Sequence, residues 1–331
     1  PPFAFLVSLL STPLITHFLY HYKLGKKIRQ STPFYYKLHK HKSGTPTMGG
    51  VIIWGTVLIL AVVFALLARF TDLPNFNFLS RSETLLPLGA LVAAALIGLI
   101  DDYISITGIG IFKEGIQFRH KIFIYAGLAV WGAAWFFFKL DWNIVHVPFY
   151  GDVAIGWLFI PYFVLVITAT SFAVNETDGL DGLAGGVLFT MFAACGAIAF
   201  VTGRYDLAAF CGVITGALLS FLWFNIPPAR FFMGDTGSMA LGTVLGIIVF
   251  YLKASLLLPI IGFVLVIEAA SVILQIGSKK FRGKKILLSS PIHHHLEMRG
   301  WAESKIVMRF WLISSIASMI GLIIVLLDKT L

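Results

Sequence analysis

Five carboxylates in this sequence stand beside glycines, or beside each other, at the ends of long apolar runs. They are Asp101 and Asp102, Asp178 and Asp181, and Asp235. Adjacent acids at the end of an apolar helix are costly without a cation or a positive ligand group. The run Asn175–Leu183 reads N-E-T-D-G-L-D-G-L, so Asp178 and Asp181 share a face if it is helical. Gly179 and Gly182 let the backbone turn tightly there and approach a ligand closely. Asp235 lies between Gly234 and Gly237, where the backbone is free to wrap around an ion or phosphate. Phe231 and Phe232 beside it offer a stacking surface for a ring. Oxygen-rich sites of this kind suit Mg²⁺, which keeps several waters and bridges substrate phosphates. Lys121, at the start of the fourth apolar segment, is a candidate partner for a ligand phosphate. Three consecutive histidines, His293, His294 and His295, follow Pro291 and Ile292. Their spacing does not build a tetrahedral zinc set, and neighbouring lysines point instead to a polyanion such as a diphosphate. A Pro/Gly-rich stretch, Thr45–Gly50, follows Lys42.

The elements that carry these residues are membrane spans. Of 331 residues, 58% are hydrophobic and only 12% charged, about half the charged share of a soluble domain. The expected fold is an all-α polytopic membrane protein forming a single domain, 1–331. Ten apolar segments approach the length a bilayer demands, near 3–22, 48–68, 85–100, 122–138, 153–172, 183–201, 208–224, 237–254, 255–276 and 306–327. Pro87 and Pro259 are expected to bend or break the turns they occupy. No charged leader with a small-residue cleavage site is evident, so no cleavable signal peptide is expected. Cys195 and Cys211 lie in apolar segments and imply buried thiols.

Lys and Arg divide 18 against 6 between the two sets of loops. The richer set is 23–42, 101–121, 225–235 and 277–305, and the positive-inside rule places it in the cytoplasm. Both termini then face the periplasm, and all five acids fall on the cytoplasmic face. The net charge of +9 is confined to these loops, so it argues for the membrane and against nucleic acid. Loop 139–152 reads as a small hairpin without clustered acids or histidines and is assigned no chemistry.

The motifs D-D-Y, N-x-T-D-G-L-D-G-L, F-M-G-D-x-G-S and P-I-H-H-H, in this order, resemble the polyprenyl-phosphate N-acetylhexosamine-1-phosphate transferase superfamily. The unbroken histidine run and the T-P-T-M-G-G stretch look like its muramoyl-pentapeptide branch. The resemblance implies a Mg²⁺-dependent enzyme of the bacterial inner membrane, acting as a homodimer. Its donor would be UDP-MurNAc-pentapeptide, its acceptor undecaprenyl phosphate, and its products lipid I and UMP. It also implies roles. Asp101, Asp102 and Asp235 would be catalytic acids, with Asp235 the principal metal ligand and Asp101 deprotonating or orienting the lipid phosphate. Asn175, Asp178, Gly179, Leu180 and Asp181 would line the nucleotide-sugar site, and Thr47 would contribute to substrate binding. Phe232 would stack on uracil near Asp181, Asn225 and Lys42. His293, His294, His295 and Gln275 would face the sugar diphosphate, and Lys121 a phosphate. Glu176 departs from the Leu common in the family, and Ile104–Phe112 lacks the lysines that often follow D-D-Y. Two other readings compete: a GlcNAc-1-phosphate transferase of the same superfamily, and a cation-coupled transporter. The transporter predicts acids at mid-bilayer, where only Glu268 qualifies.

Overall fold

The computed structural model describes residues 1–25, 40–71, 77–79, 83–108 and 116–330. Lys26, Lys27, Arg29, Lys37, Arg81 and Lys113, part of the loop-charge argument, lie outside the described residues, as does the part of Ile104–Phe112 beyond Gly108. Among the described residues, nine helices are long and apolar enough to cross a membrane, or ten if one bent pair counts as a single span. Eight of the nine are carried by α1 (Pro2–His21), α2 (Gly50–Phe70), α3 (Leu85–Thr107), α4 (Phe118–Ala134), α5 (Phe159–Thr177), α6 (Leu183–Val201), α7 (Tyr205–Asn225) and α8 (Gly234–Tyr251), and the ninth is the last helix of the chain. The short α9 (Leu258–Ile261) and the longer α10 (Phe263–Arg282) follow, then the short α11 (Ile292–Met298) and finally α12 (Glu303–Leu327). A π-helical turn, Trp135–Lys139, extends α4. The protein is therefore an all-helical, multi-pass membrane protein apart from one small hairpin.

Three local expectations need correction. α3 does not stop at residue 100. It continues through Asp101 and Asp102 to Thr107, so both acids are helical and buried, and Gly108 ends the helix in the left-handed conformation. Pro87 neither bends nor breaks α3, because it occupies the first turn, where a missing N–H costs nothing. Pro259 likewise sits in the first turn of α9. The 85° bend of the ninth span instead falls at Gly262, between α9 and α10.

The centre of the bundle is α8. Every residue from Thr236 to Tyr251 is buried, while the outer helices leave apolar side chains such as Leu10, Phe123 and Leu312 uncovered. A helix apolar all round belongs inside a bundle or in lipid, and here α8 is the inner one. Small residues let its neighbours close on it: Gly50 of α2 meets Gly237, Gly98 of α3 meets the Asp235 carbonyl, and Gly242 meets Ser171 of α5. Asp235 thus lies in the first turn of the most enclosed span among the described residues.

At the other end of α5, α8 and α12 lies the hairpin, β1 (Ile144–Val147) and β2 (Gly151–Ala154), as the sequence suggested. The reading of this loop as free of clustered acids and histidines does not hold. His146 is buried between two carboxylates, 2.8 Å from Asp152 Oδ1 and 2.9 Å from Asp328 Oδ2. Asp328 arrives from 182 residues away, just past α12, a distance no local pattern reveals. Lys253 closes on Asp152 at 2.5 Å. Burial works against ionised Asp328, but hydrogen bonds from Thr330, His146 and the Phe149 N–H outweigh it and hold the carboxyl well below its usual range. A carboxyl depressed by folding stabilises fully above its unfolded value of about 3.9, and that stability is lost as pH falls below it. Thermal unfolding in detergent from about pH 6 to about pH 3 should therefore show Asp328→Asn less stable than the parent at the upper end, with the gap closing as pH falls.

Candidate active site

Three helices deliver the acidic centre. Lys121, in the first turn of α4, places its ammonium 2.9 Å from Asp101 Oδ2 and 2.6 Å from Asp235 Oδ2. Asp101 Oδ1 accepts the Ile116 N–H at 2.5 Å. Asp235 Oδ1 accepts Asn175 Nδ2 at 2.5 Å, and Asn175 also donates to Ser238 at 3.0 Å. Asp102 does something different from its neighbour. Its two oxygens accept the Asp235 and Thr236 N–H groups, each at 3.1 Å. It thereby caps the first turn of α8, whose N–H groups have no partner within their own helix. Asp101 and Asp235 face the lysine; Asp102 holds the backbone that presents Asp235. Gly234 takes φ +74°, and a side chain there would strike Asp102 and the buried Thr47.

The Asn175–Leu183 stretch is not one helix. α5 ends at Thr177, and Asp178 and Asp181 lie in the turn before α6, so they do not share a helical face. Asp178 Oδ2 accepts the Gly234 N–H at 3.2 Å. Asp181 Oδ1 pairs with Lys42 at 2.7 Å, and its Oδ2 accepts the Ala229 N–H at 3.1 Å. Glu303, at the start of α12, completes this group: Oε1 lies 2.5 Å from Lys42 Nζ and accepts the Asp181 N–H at 2.8 Å. Burial alone would lower the Lys42 ammonium; Glu303, then Asp181, outweigh it and hold it above its usual value. Leu180 is buried in the core. Asn225 uses both ends of its amide on backbone, accepting from Gly182 at 3.0 Å and donating to the Phe231 carbonyl at 2.7 Å. Phe231 is wholly buried, with Phe221 and Phe224 beside it, so it offers no stacking face; Phe232 is half-buried. The backbone of Phe232 and Met233 pairs with Pro46, Gly49 and Gly50, which seats the Thr45–Gly50 stretch against the entry to α8.

The histidine run splits into three environments. His293 is wholly buried and lies 2.9 Å from Glu268 Oε2 through Nδ1. His294 Nδ1 lies 2.6 Å from Glu297 Oε2. His295 Nδ1 accepts the Leu288 N–H at 3.1 Å, and burial, then Arg299, holds its imidazole below the usual value. Gln275 is also spoken for: its Oε1 accepts the Ile286 and Leu287 N–H groups and its Nε2 donates to the Leu287 carbonyl. Gly179 bridges the two halves of the site, since a β-carbon there would overlap His293 Nε2. Gly179→Ala should therefore displace either the loop or the imidazole and reduce turnover by about 10²-fold. Steady-state kinetics beside a melting curve will separate this from simple overpacking.

Glu268 and Glu303 join the site only through the fold. Glu268 does carry a signal, as the one acid that the sequence places clearly inside an apolar segment. Glu303 carried none, since its partners lie 122 and 261 residues away.

The donor set fits a hard divalent cation. Asp101 and Asp235 already hold one positive group, the Lys121 ammonium, between them. Among the described residues no three His, Cys, Asp or Glu side chains converge as a closed metal cage. Mg²⁺ needs no such cage, because it binds through one or two carboxylates with waters and phosphates completing its shell.

An enclosed lysine–carboxylate centre at one end of a helical bundle gives this polytopic membrane protein a charged site suited to enzyme chemistry. Residues 84–253 match Glycosyl transferase family 4, and residues 42–53 match phospho-N-acetylmuramoyl-pentapeptide-transferase signature 1. A Clostridium novyi phospho-N-acetylmuramoyl-pentapeptide-transferase is 42% identical over 323 residues, covering 96% of this chain and 93% of its own. Relatives of the same name from Chloroflexus aggregans and Pelagibacter ubique are 38% and 40% identical, covering 98% and 96% of this chain and 88% and 89% of theirs. The chain belongs to the phospho-N-acetylmuramoyl-pentapeptide-transferase family.

Proposed function

We propose that this protein transfers phospho-MurNAc-pentapeptide from UDP-MurNAc-pentapeptide to undecaprenyl phosphate, forming lipid I and releasing UMP for peptidoglycan synthesis. The observation that carries this reading is the Asp101–Lys121–Asp235 centre at the end of the bundle's inner helix, in a chain similar along nearly its whole length to transferases of that name. A lipid phosphate oxygen attacks the β-phosphorus of the donor. The bond from that phosphorus to the oxygen bridging it to the α-phosphorus breaks, and UMP carries that oxygen away.

Attack of one phosphate on another brings several negative charges together, so positioning and neutralisation do most of the work. Lys121 supplies one cation directly. Asp235, with Asp101, would hold Mg²⁺, which when bound neutralises phosphate charge. Asp101 would orient or deprotonate the lipid phosphate, and Asp102 acts as a positioning residue by fixing the start of α8. Phe232 would stack on uracil, with Lys42 and Asp181 close by; Asn225 holds the two loops that frame this subsite. Asn175, Asp178 and Gly179 would wall the nucleotide sugar, and the histidine run would face its diphosphate.

We place the site on the cytoplasmic face of the bacterial inner membrane, with the hairpin and both termini outside, from the 18-to-6 loop charge asymmetry. The single-domain organisation and the homodimer belong to the same proposal. A turnover assay comparing UDP-MurNAc-pentapeptide with UDP-GlcNAc, each with undecaprenyl phosphate, tests it. The expected result is product from the first donor; product from UDP-GlcNAc alone would overturn it.

A further inference from the structure

Glu268 is a wholly buried carboxylate inside a span, six residues beyond the bend at Gly262. Acids at such depth in a membrane protein are expensive and need a partner. Its partner is His293, whose Nδ1 lies 2.9 Å from Glu268 Oε2, and both side chains are fully enclosed. The contact joins α10 to the start of α11. It leaves two buried atoms with no hydrogen-bond partner, Glu268 Oε1 and His293 Nε2. An apolar pair filling the same space would serve a purely structural tie at lower cost. The free ring nitrogen has a direction: it lies against Gly179, and only a residue without a β-carbon lets the Asp178–Asp181 turn come so close. Gly179 stands one residue from Asp178, which accepts the Gly234 N–H, so the turn also touches the residue before Asp235.

We propose that Glu268 is a positioning residue for the transfer reaction. By accepting the Nδ1–H of His293 it fixes the ring's orientation and holds Nε2 against Gly179, seating the turn that walls the donor, whether the imidazole is neutral or charged. A carboxylate behind a working imidazole sets which nitrogen carries the proton and where the ring points. The inference rests on the reading that the histidine run faces the sugar diphosphate.

The test is a double-mutant cycle on the full chain, with Glu268→Gln, Glu268→Asp, His293→Ala and the double variant Glu268→Gln/His293→Ala. Glu268→Gln should lower kcat about tenfold or more, leave KM for undecaprenyl phosphate unchanged, and be partly rescued by Glu268→Asp. In the His293→Ala background the same exchange should add no further loss. Full kcat in Glu268→Gln, or losses that simply multiply, overturns the proposal. Turnover retained in His293→Ala instead overturns the reading of the histidine run, and the proposal with it. Should the glutamine variant fail to fold, ¹⁵N-histidine spectra of the unaltered protein decide: a protonated His293 Nδ1 is expected, and an unprotonated one overturns the assignment.

Discussion

Exchanging Asp235 for asparagine should cut turnover on the order of 10³-fold while leaving the melting temperature nearly unchanged. The substitution conserves shape, and the residue keeps its place at the start of α8, because its N–H still donates to Asp102. What it loses is the negative charge 2.6 Å from Lys121, and with it the group best placed to draw a second cation beside Asp101. Asp102→Asn makes the informative contrast. Asp102 accepts two backbone N–H groups, and charge-assisted bonds of this kind contribute about 1.5–3 kcal/mol each. That variant should lose stability as well as activity. Parallel kinetics and thermal unfolding will distinguish a residue that faces the reacting groups from one that holds its neighbour in place.

Gly98→Ala should damage both stability and turnover. A β-carbon there would overlap the Asp235 carbonyl and crowd the Thr236 N–H. α3 and α8 pack together over much of their length, so neither can yield locally. Overpacking of this kind costs about 1–3 kcal/mol. The displaced residues are also the ones that set Asp101 and Asp102 against Asp235, and a shift of about 1 Å in a positioned site can cost about 10²-fold in rate. Gly89→Ala is the control on the same helix. Nothing lies near its added carbon, and relief of a helical glycine should stabilise by up to about 1 kcal/mol. Melting curves and kcat for both variants test the point. A harmless Gly98→Ala would mean that α3 does not fix the acid geometry.

Most of the architecture was legible because a bilayer imposes a length and a polarity on every span. The nine spans among the described residues follow from that constraint. Helix ends were less legible. Polarity suggested that α3 stops at Asp101, but burial of those acids against the start of α8 lets the helix run on to Thr107. Proline reads as a bend or break at two places where it stands in the first turn of a helix, whereas the bend falls at a glycine. Of the site, the local clusters were visible and their partners were not. The sequence marks Lys121 as a partner for a substrate phosphate; its contacts to Asp101 and Asp235 come only from packing. Phe231 and Phe232 look equivalent in sequence, yet one is core and the other half-buried. His146 with Asp328, Lys42 with Glu303, and Glu268 with His293 are contacts between distant segments, and only packing brings them together.

The most direct test of the central claim follows the phosphorus. The purified protein would be incubated with undecaprenyl phosphate, Mg²⁺ and UDP-MurNAc-pentapeptide labelled with ³²P at the β-phosphate. Transfer of the phospho-sugar predicts that the label enters the lipid product while unlabelled UMP is released one for one. Label appearing in released UDP, with only the sugar on the lipid, would contradict the account.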